Sequence, residues 1–382
     1  MKMLSEIWSQ VQENLLPFLE EVLDEPLTNK LRQLVSILEV VRIEEYVRPR
    51  HWQWMGRTRR ERGPIARAFV VKAVYNLPTT ALLLEMLRNQ PNLRRICGWQ
   101  RSREIPSIST FSRAFAEFAR DGLGDKVHQS LVAKHITGED ITDNIVMHVS
   151  RDSTEIEARE KPAPKVKVEK VKVETEAQAK PKYKRGRPKK NEKREPPPLK
   201  RLHKQLQQTP EEAIAELPRV CDVGAKVNTK GHMHWWHGWK FHIDWADGGL
   251  PVNALTTSAS LHDSQVAIPM STITSRRITY LYELADSAYD ASLILEHTRS
   301  LGHVPIIDQH SRRKDLIPFD PATKHRYKER TVAERGNSRL KDEFGLRHLR
   351  VRGYVKAHLH NMLGLVSLFA DQALKLFGCQ LT

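Results

Sequence analysis

The chain has 382 residues, and 62 Lys+Arg against 46 Asp+Glu leave it a net charge of +16. That length suggests two or three domains at about 100–200 residues each, and 40% hydrophobic residues exclude a wholly disordered chain. No apolar run approaches the ~20 residues that cross a bilayer, which argues against a membrane protein, and Cys97, Cys221 and Cys379 lack disulfide or zinc spacing, as suits a reducing cytoplasm.

The opening MKMLSEIWSQVQENLLPFLEEV carries Glu6, Glu13 and Glu20 within an apolar pattern, which predicts an amphipathic helix and no signal peptide. Helical patterns continue to about residue 140. They are IARAFVVKAVYNL at 65–77, ALLLEMLRNQ at 81–90, LRRICGWQ at 93–100 and, after the Ile105-Pro106 break, SISTFSRAFAEFAR at 107–120. Ser107 or Ser109 is placed to cap the last of these, with Phe111, Phe115 and Phe118 on its buried side and Arg113 and Arg120 elsewhere. Short helices with a basic face fit a helix-turn-helix-like DNA binder, Arg113 being a contact residue. They fit a plain dimerisation or packing bundle about as well.

From about residue 144 the pattern changes to strands. IVMHVS at 145–150 runs towards Asp152; WKFHIDW and VNALTTSAS flank the turn Asp247-Gly248-Gly249 as a hairpin; ITYLYELA ends at Asp286. A helix (SLILEHTRSLG), a strand (HVPIID) and a helical last ~60 residues complete an α/β reading with a mixed sheet. The segment 160–204 interrupts it with 17 Lys+Arg and 6 Asp+Glu, a net +11 that leaves +5 for the rest. It has too few large apolar side chains to fold alone, so a disordered arm is expected, one suited to a polyanion. Within it Arg185-Gly186-Arg187-Pro188 resembles an AT-hook, which directs both Arg side chains into a narrow A·T minor groove. A solvated spacer or a nonspecific phosphate-binding tail fits the same residues.

Asp152 and Asp286 fall at predicted strand ends, where open α/β sheets bind ligands, although each alone also reads as a turn residue or cap. A further feature is Tyr327, Arg330, Glu334 and Lys341, whose offsets of 3, 7 and 14 share one helical face. Val332, Leu340 and Phe344 lie on the other, and Gly336 requires that the sheet hold this helix. The His/Trp cluster HMHWWHGWKFH alternates between faces and lacks a nearby Cys, so packing is favoured over zinc.

Together HVSRDSTEIEAR, HGWKFHIDWADGGLPVNALTTSASLHDS, LADSAYDA and YKERTVAERGNSRLK resemble the ordered blocks of bacterial insertion-sequence transposases with a DDE catalytic domain, the IS-four/IS-five superfamily. The resemblance covers about residues 60–370, with Gly238-Trp239-Lys240 where the family usually has Gly-Tyr-Lys. It implies a ribonuclease H-like catalytic domain (141–376) after the helical N-terminal domain (1–140); the basic insertion (160–210) falls in a region that varies in such proteins, so its role is not inherited from the match. Asp152, Asp286 and Glu334 become the catalytic, metal-binding triad, holding two Mg²⁺ ions for which Mn²⁺ can substitute. Tyr327, Arg330 and Lys341 become DNA-handling partners. The implied reaction is cleavage and strand transfer of double-stranded DNA at element ends, in a homodimer, without ATP or membrane, in the cytoplasm on the nucleoid. A transposase-derived repressor and a nuclease without joining activity are the alternatives. Asp263, Asp308, Glu329 and Glu343 lie outside the matched positions and are expected at most to support the site.

Overall fold

The computed structural model describes residues 28–49, 60–136, 146–162, 199–227, 231–309 and 316–378. The expected N-terminal amphipathic helix and the Arg185/Arg187 motif lie outside the described residues.

Helix α1 (Asn29–Val41) begins where Thr28 accepts the Leu31 N–H, and its stripe of Leu34, Ile37, Leu38 and Val41 is buried. Helix α2 (Gly63–Val74) is apolar on nearly every side and sits inside the helical layer. Around it lie α3 (Thr80–Asn89), α4 (Pro91–Cys97), α5 (Ile108–Arg120) and α6 (Leu123–His135). Phe69 of α2 meets Phe111, Phe115 and Phe118 edge-on at centroid distances of 5.7, 4.9 and 6.5 Å, the face expected from the sequence. Ser107 occupies the cap position of α5, but its hydroxyl bonds Ser109 and Thr110 side chains, so the expected side-chain cap is not made.

Strand β1 (Val146–Glu157) is followed by two short helices, α7 (Arg201–Gln205) inside the 160–210 segment, which is thus not disordered throughout, and α8 (Pro210–Ala215) at its end. Next come β2 (Asp222–Val227), β3 (Met233–Ala246) and β4 (Leu250–Ser258), the last two joined by a tight Asp247–Gly249 turn in which Gly248 has φ 73°. Then follow α9 (Ala267–Arg277), β5 (Tyr280–Ala285), α10 (Ser292–Ser300), β6 (Val304–Ile307), α11 (Pro321–Tyr327), α12 (Thr331–Asp342) and α13 (Tyr354–Phe377).

The sheet runs β2-β3-β1-β5-β6, with β4 also on β3. Pairing is antiparallel for β1–β3, β2–β3 and β3–β4 and parallel for β1–β5 and β5–β6, a mixed sheet as expected. The long α13 packs on α1, α2, α5, α6 and β4. One apolar core thus runs from α1–α6 through α13 to Val149 of β1 and Val252 of β4, across the residue-140 boundary. Among the described residues no helix is long and apolar enough to cross a membrane.

Candidate active site

Strand β1 outruns its parallel neighbour. Its last pair with β5 is Ser150↔Leu284, whereas pairing with β3 continues to Glu157. Asp152 therefore lies in mid-strand and not at the expected strand end, because β3 still supplies hydrogen bonds to the polar residues after Ser150. Two steps beyond that last parallel pair lie Asp152 on one chain segment and Asp286 on the other, so the register carries both acids to one level of the sheet. Asp286 leaves β5 as the cap of a one-turn 3₁₀ helix, its Oδ1 accepting the Ala288 N–H at 3.0 Å.

Alternation along β1 turns Ser150 and Asp152 towards α12 and Arg151 towards α9. On the α12 side Asn337 donates from Nδ2 to Asp152 Oδ2 at 2.9 Å. On the α9 side the fully buried Arg151 forks onto Asp244 at 2.7 and 2.9 Å and donates to Glu283 at 2.8 Å and Ser271 at 2.9 Å. This network ties β3, β1 and β5 together directly behind Asp152.

Helix α12 reaches the sheet because Gly336 has no side chain; a Cβ there would stand 2.5 Å from the buried Trp245 ring. The Tyr327–Lys341 stretch is not one continuous α-helix, which corrects the single-face expectation. Tyr327 ends α11, a 3₁₀ turn spans Lys328–Arg330, and α12 follows. Arg330 Nη2 donates to the exposed Glu334 Oε1 at 2.6 Å, and the Arg330 guanidinium also lies 5.7 Å from the Tyr327 ring centroid. Lys341 points to Glu155 of β1 at 3.5 Å.

The electrostatics mark one cluster. Burial, with the charges of Asp286 and Asp263 added, pushes the Asp152 carboxyl up to about 6. Burial and Asp263 likewise raise Asp286. Burial disfavours the Arg330 cation, but Tyr327, Glu334, Asp152 and Asp286 outweigh it and hold its pKa above the usual value. Arg330 is thus the cation common to all three expected acids. Among the described residues, however, no three His, Cys, Asp or Glu side chains stand close enough to enclose a metal ion, and Glu334 is engaged by Arg330.

Sequence reasoning gave Asp263 a minor place, yet it lies inside this field. Lys240 donates to it at 3.1 Å and His242 Nδ1 lies 3.7 Å away; together they outweigh burial and keep Asp263 ionised. Lys240 belongs to the Gly238-Trp239-Lys240 block, so that block reaches the site through Asp263. Asn337 and Tyr289 were missed altogether. The buried Asn337 Oδ1 and Tyr289 hydroxyl have no hydrogen-bond partner, and Tyr289 feels Asp263, Asp286 and Asp152. Glu329 contributes only its carbonyl, to Ser150 at 3.4 Å, and Glu343 pairs with Arg339. Of the His/Trp cluster, His242 is buried against Thr257 and Trp236 packs in the sheet, while Trp235 is exposed. Arg113 lies exposed on α5, outside this cluster.

The donor set fits a divalent cation. Mg²⁺ keeps several waters and is commonly held by one or two carboxylates plus substrate phosphates. Two partly buried carboxylates at one sheet level, with raised pKa values and unpartnered amide and phenol oxygens nearby, supply that chemistry. A family model described as Transposase DDE domain matches residues 148–370, and one described as Transposase domain (DUF772) matches residues 19–117. No curated protein matches the chain. With more than half of its length matched by the first of these models, and the helical region by the second, the chain belongs to the DDE transposases of insertion sequences.

Proposed function

We propose that this transposase cleaves and rejoins double-stranded DNA at the ends of a mobile element, with Asp152 and Asp286 holding Mg²⁺, or Mn²⁺ in its place. The single observation that carries this reading is the parallel register that sets Asp152 beside Asp286 under Asn337 and Arg330. A β4-β3-β1-β5-β6 order, antiparallel on one side of β1 and parallel on the other, supports the ribonuclease H-like reading. The helical residues before 140 are the proposed DNA-binding and dimerisation region, since two element ends must be held together.

The divalent ions, when bound, stabilise charge on the scissile phosphate and make the attacking oxygen nucleophilic at neutral pH. Asp152 and Asp286 supply oxygen ligands. Asn337 fixes the Asp152 carboxylate through its hydrogen bond. Arg330 grips a phosphate through paired N–H donors, exchanging Glu334 for it, and this exchange frees Glu334 to join the two aspartates. Lys341 adds a point charge for a neighbouring phosphate, and Tyr327 a hydroxyl or a stacking face. The test incubates the full chain and Mg²⁺ with DNA carrying the element ends. Cleavage in wild type and its loss in Asp152→Ala, Asp286→Ala and Glu334→Ala is expected; undiminished cleavage in all three variants rejects the assignment, and binding without cutting favours a repressor.

A further inference from the structure

A cavity of about 520 Å³ lies between the ends of α2, α3 and α5, the residues after α12, and the start of α13. Its rim carries Lys72, Arg159, Arg350, Arg352 and Lys356, and no Asp or Glu is among the residues that line it. None of these five cations forms an ion pair with a described residue, although surface cations elsewhere in the fold regularly do. Lys72 is the most burdened. Burial and the adjacent Arg350 charge push its ammonium down to about 8. The floor is of the opposite character, with Phe69, Phe115 and Phe344 among its apolar side chains.

A bare anion would satisfy the rim and leave the phenylalanine floor wet, whereas an apolar molecule would do the reverse. A ligand with a phosphate attached to a planar, stackable body satisfies both. Position matters too. Arg159 follows two residues after the end of β1, the strand that carries Asp152, so that strand links the two places.

We propose that this cavity receives one nucleotide of a DNA strand, the phosphate on the cationic rim and the base against the phenylalanine floor. The proposal rests on the reading of this chain as a DNA-handling enzyme, but not on its chemistry. A base must leave the stack to enter, so the ligand is a single-stranded or locally opened segment.

The test measures binding of a labelled single-stranded hexadeoxynucleotide to the full chain without divalent ions, against the same hexamer made fully abasic. The intact hexamer should bind at least about fivefold more tightly, since base stacking on aromatic side chains favours it. Ala81→Trp, at an exposed cavity-lining position, should abolish that preference and leave the abasic affinity unchanged. The double variant Lys72→Ala/Lys356→Ala should weaken both hexamers about tenfold or more, with a shallower salt dependence. Absence of binding, equal affinity for the two hexamers, or a preference that survives Ala81→Trp overturns the proposal. Asp152→Ala should retain the preference. Cleavage lost with the preference intact therefore bears on the chemistry alone, and the reverse result bears on the cavity alone.

Discussion

Asn337 holds Asp152 by a 2.9 Å hydrogen bond from its side-chain amide, so the helix that carries Glu334 reaches the central strand through a neutral residue one turn later. A hydrogen bond to a charged group is worth about 1.5–3 kcal/mol. Replacing Asn337 by Ala should lower strand cleavage by roughly ten- to hundredfold while the circular dichroism spectrum stays native. Unchanged cleavage rates would remove Asn337 from the site.

Glu334 is exposed and bonded to Arg330 at 2.6 Å, and among the described residues no three carboxylates are grouped to hold a metal ion. Glu334→Gln should accordingly leave Mn²⁺ affinity of the free protein within about twofold, yet abolish cleavage of end-bearing DNA. Electron paramagnetic resonance titration of Mn²⁺ with and without DNA reads the difference. An equal loss of Mn²⁺ binding by the free Glu334→Gln and Asp286→Asn proteins would show a triad assembled before DNA arrives.

The raised pKa of Asp152 has a consequence for stability. Its carboxyl titrates at about 6 in the folded chain against about 3.9 when unfolded, so the folded state binds the proton more tightly. Stability from this group is greatest below about pH 4 and declines as pH rises to about 6, beyond which the ionised acid remains a burden. Metal-free Asp152→Asn should therefore be more stable than wild type at pH 7.5, by about 3 kcal/mol, and the gap should close near pH 4. Urea denaturation at both pH values measures it.

Two packing changes test the scaffold behind the acids. Gly336→Val drives side-chain atoms into the Trp245 ring and should cost about 1–3 kcal/mol by overpacking. Arg151→Met leaves Asp244 and Glu283 buried without their cation and should cost about 3–5 kcal/mol. Thermal melting read by circular dichroism orders the two, with Arg151→Met the lower; the reverse order would mean that the buried network tolerates losing its centre.

The elements with strong local signals were legible in the sequence. Asp247-Gly248-Gly249 between two alternating runs marks the β3–β4 hairpin, and Asp286 follows the last apolar residue of β5. The phenylalanine face of α5 was equally plain, because a 3.6-residue period needs no knowledge of the partner. Asp152 was misplaced since the polar residues after Ser150 look like a strand end, and only pairing with β3 carries the strand onward. The break at Lys328–Arg330 has no Gly or Pro to announce it. Asn337 carries no charge and so gives no ionic signal in the sequence, although it lies three residues after Glu334. Arg151 looked like any basic residue; its worth comes from Asp244 and Glu283, far apart in the chain and joined only through the sheet.

Mn²⁺ binding to the full-length protein, read by electron paramagnetic resonance for wild type, Asp152→Asn and Asp286→Asn, reports on whether those two carboxylates grip one divalent ion. Each substitution should weaken binding by at least about tenfold. Retention of wild-type affinity by both variants would contradict the account.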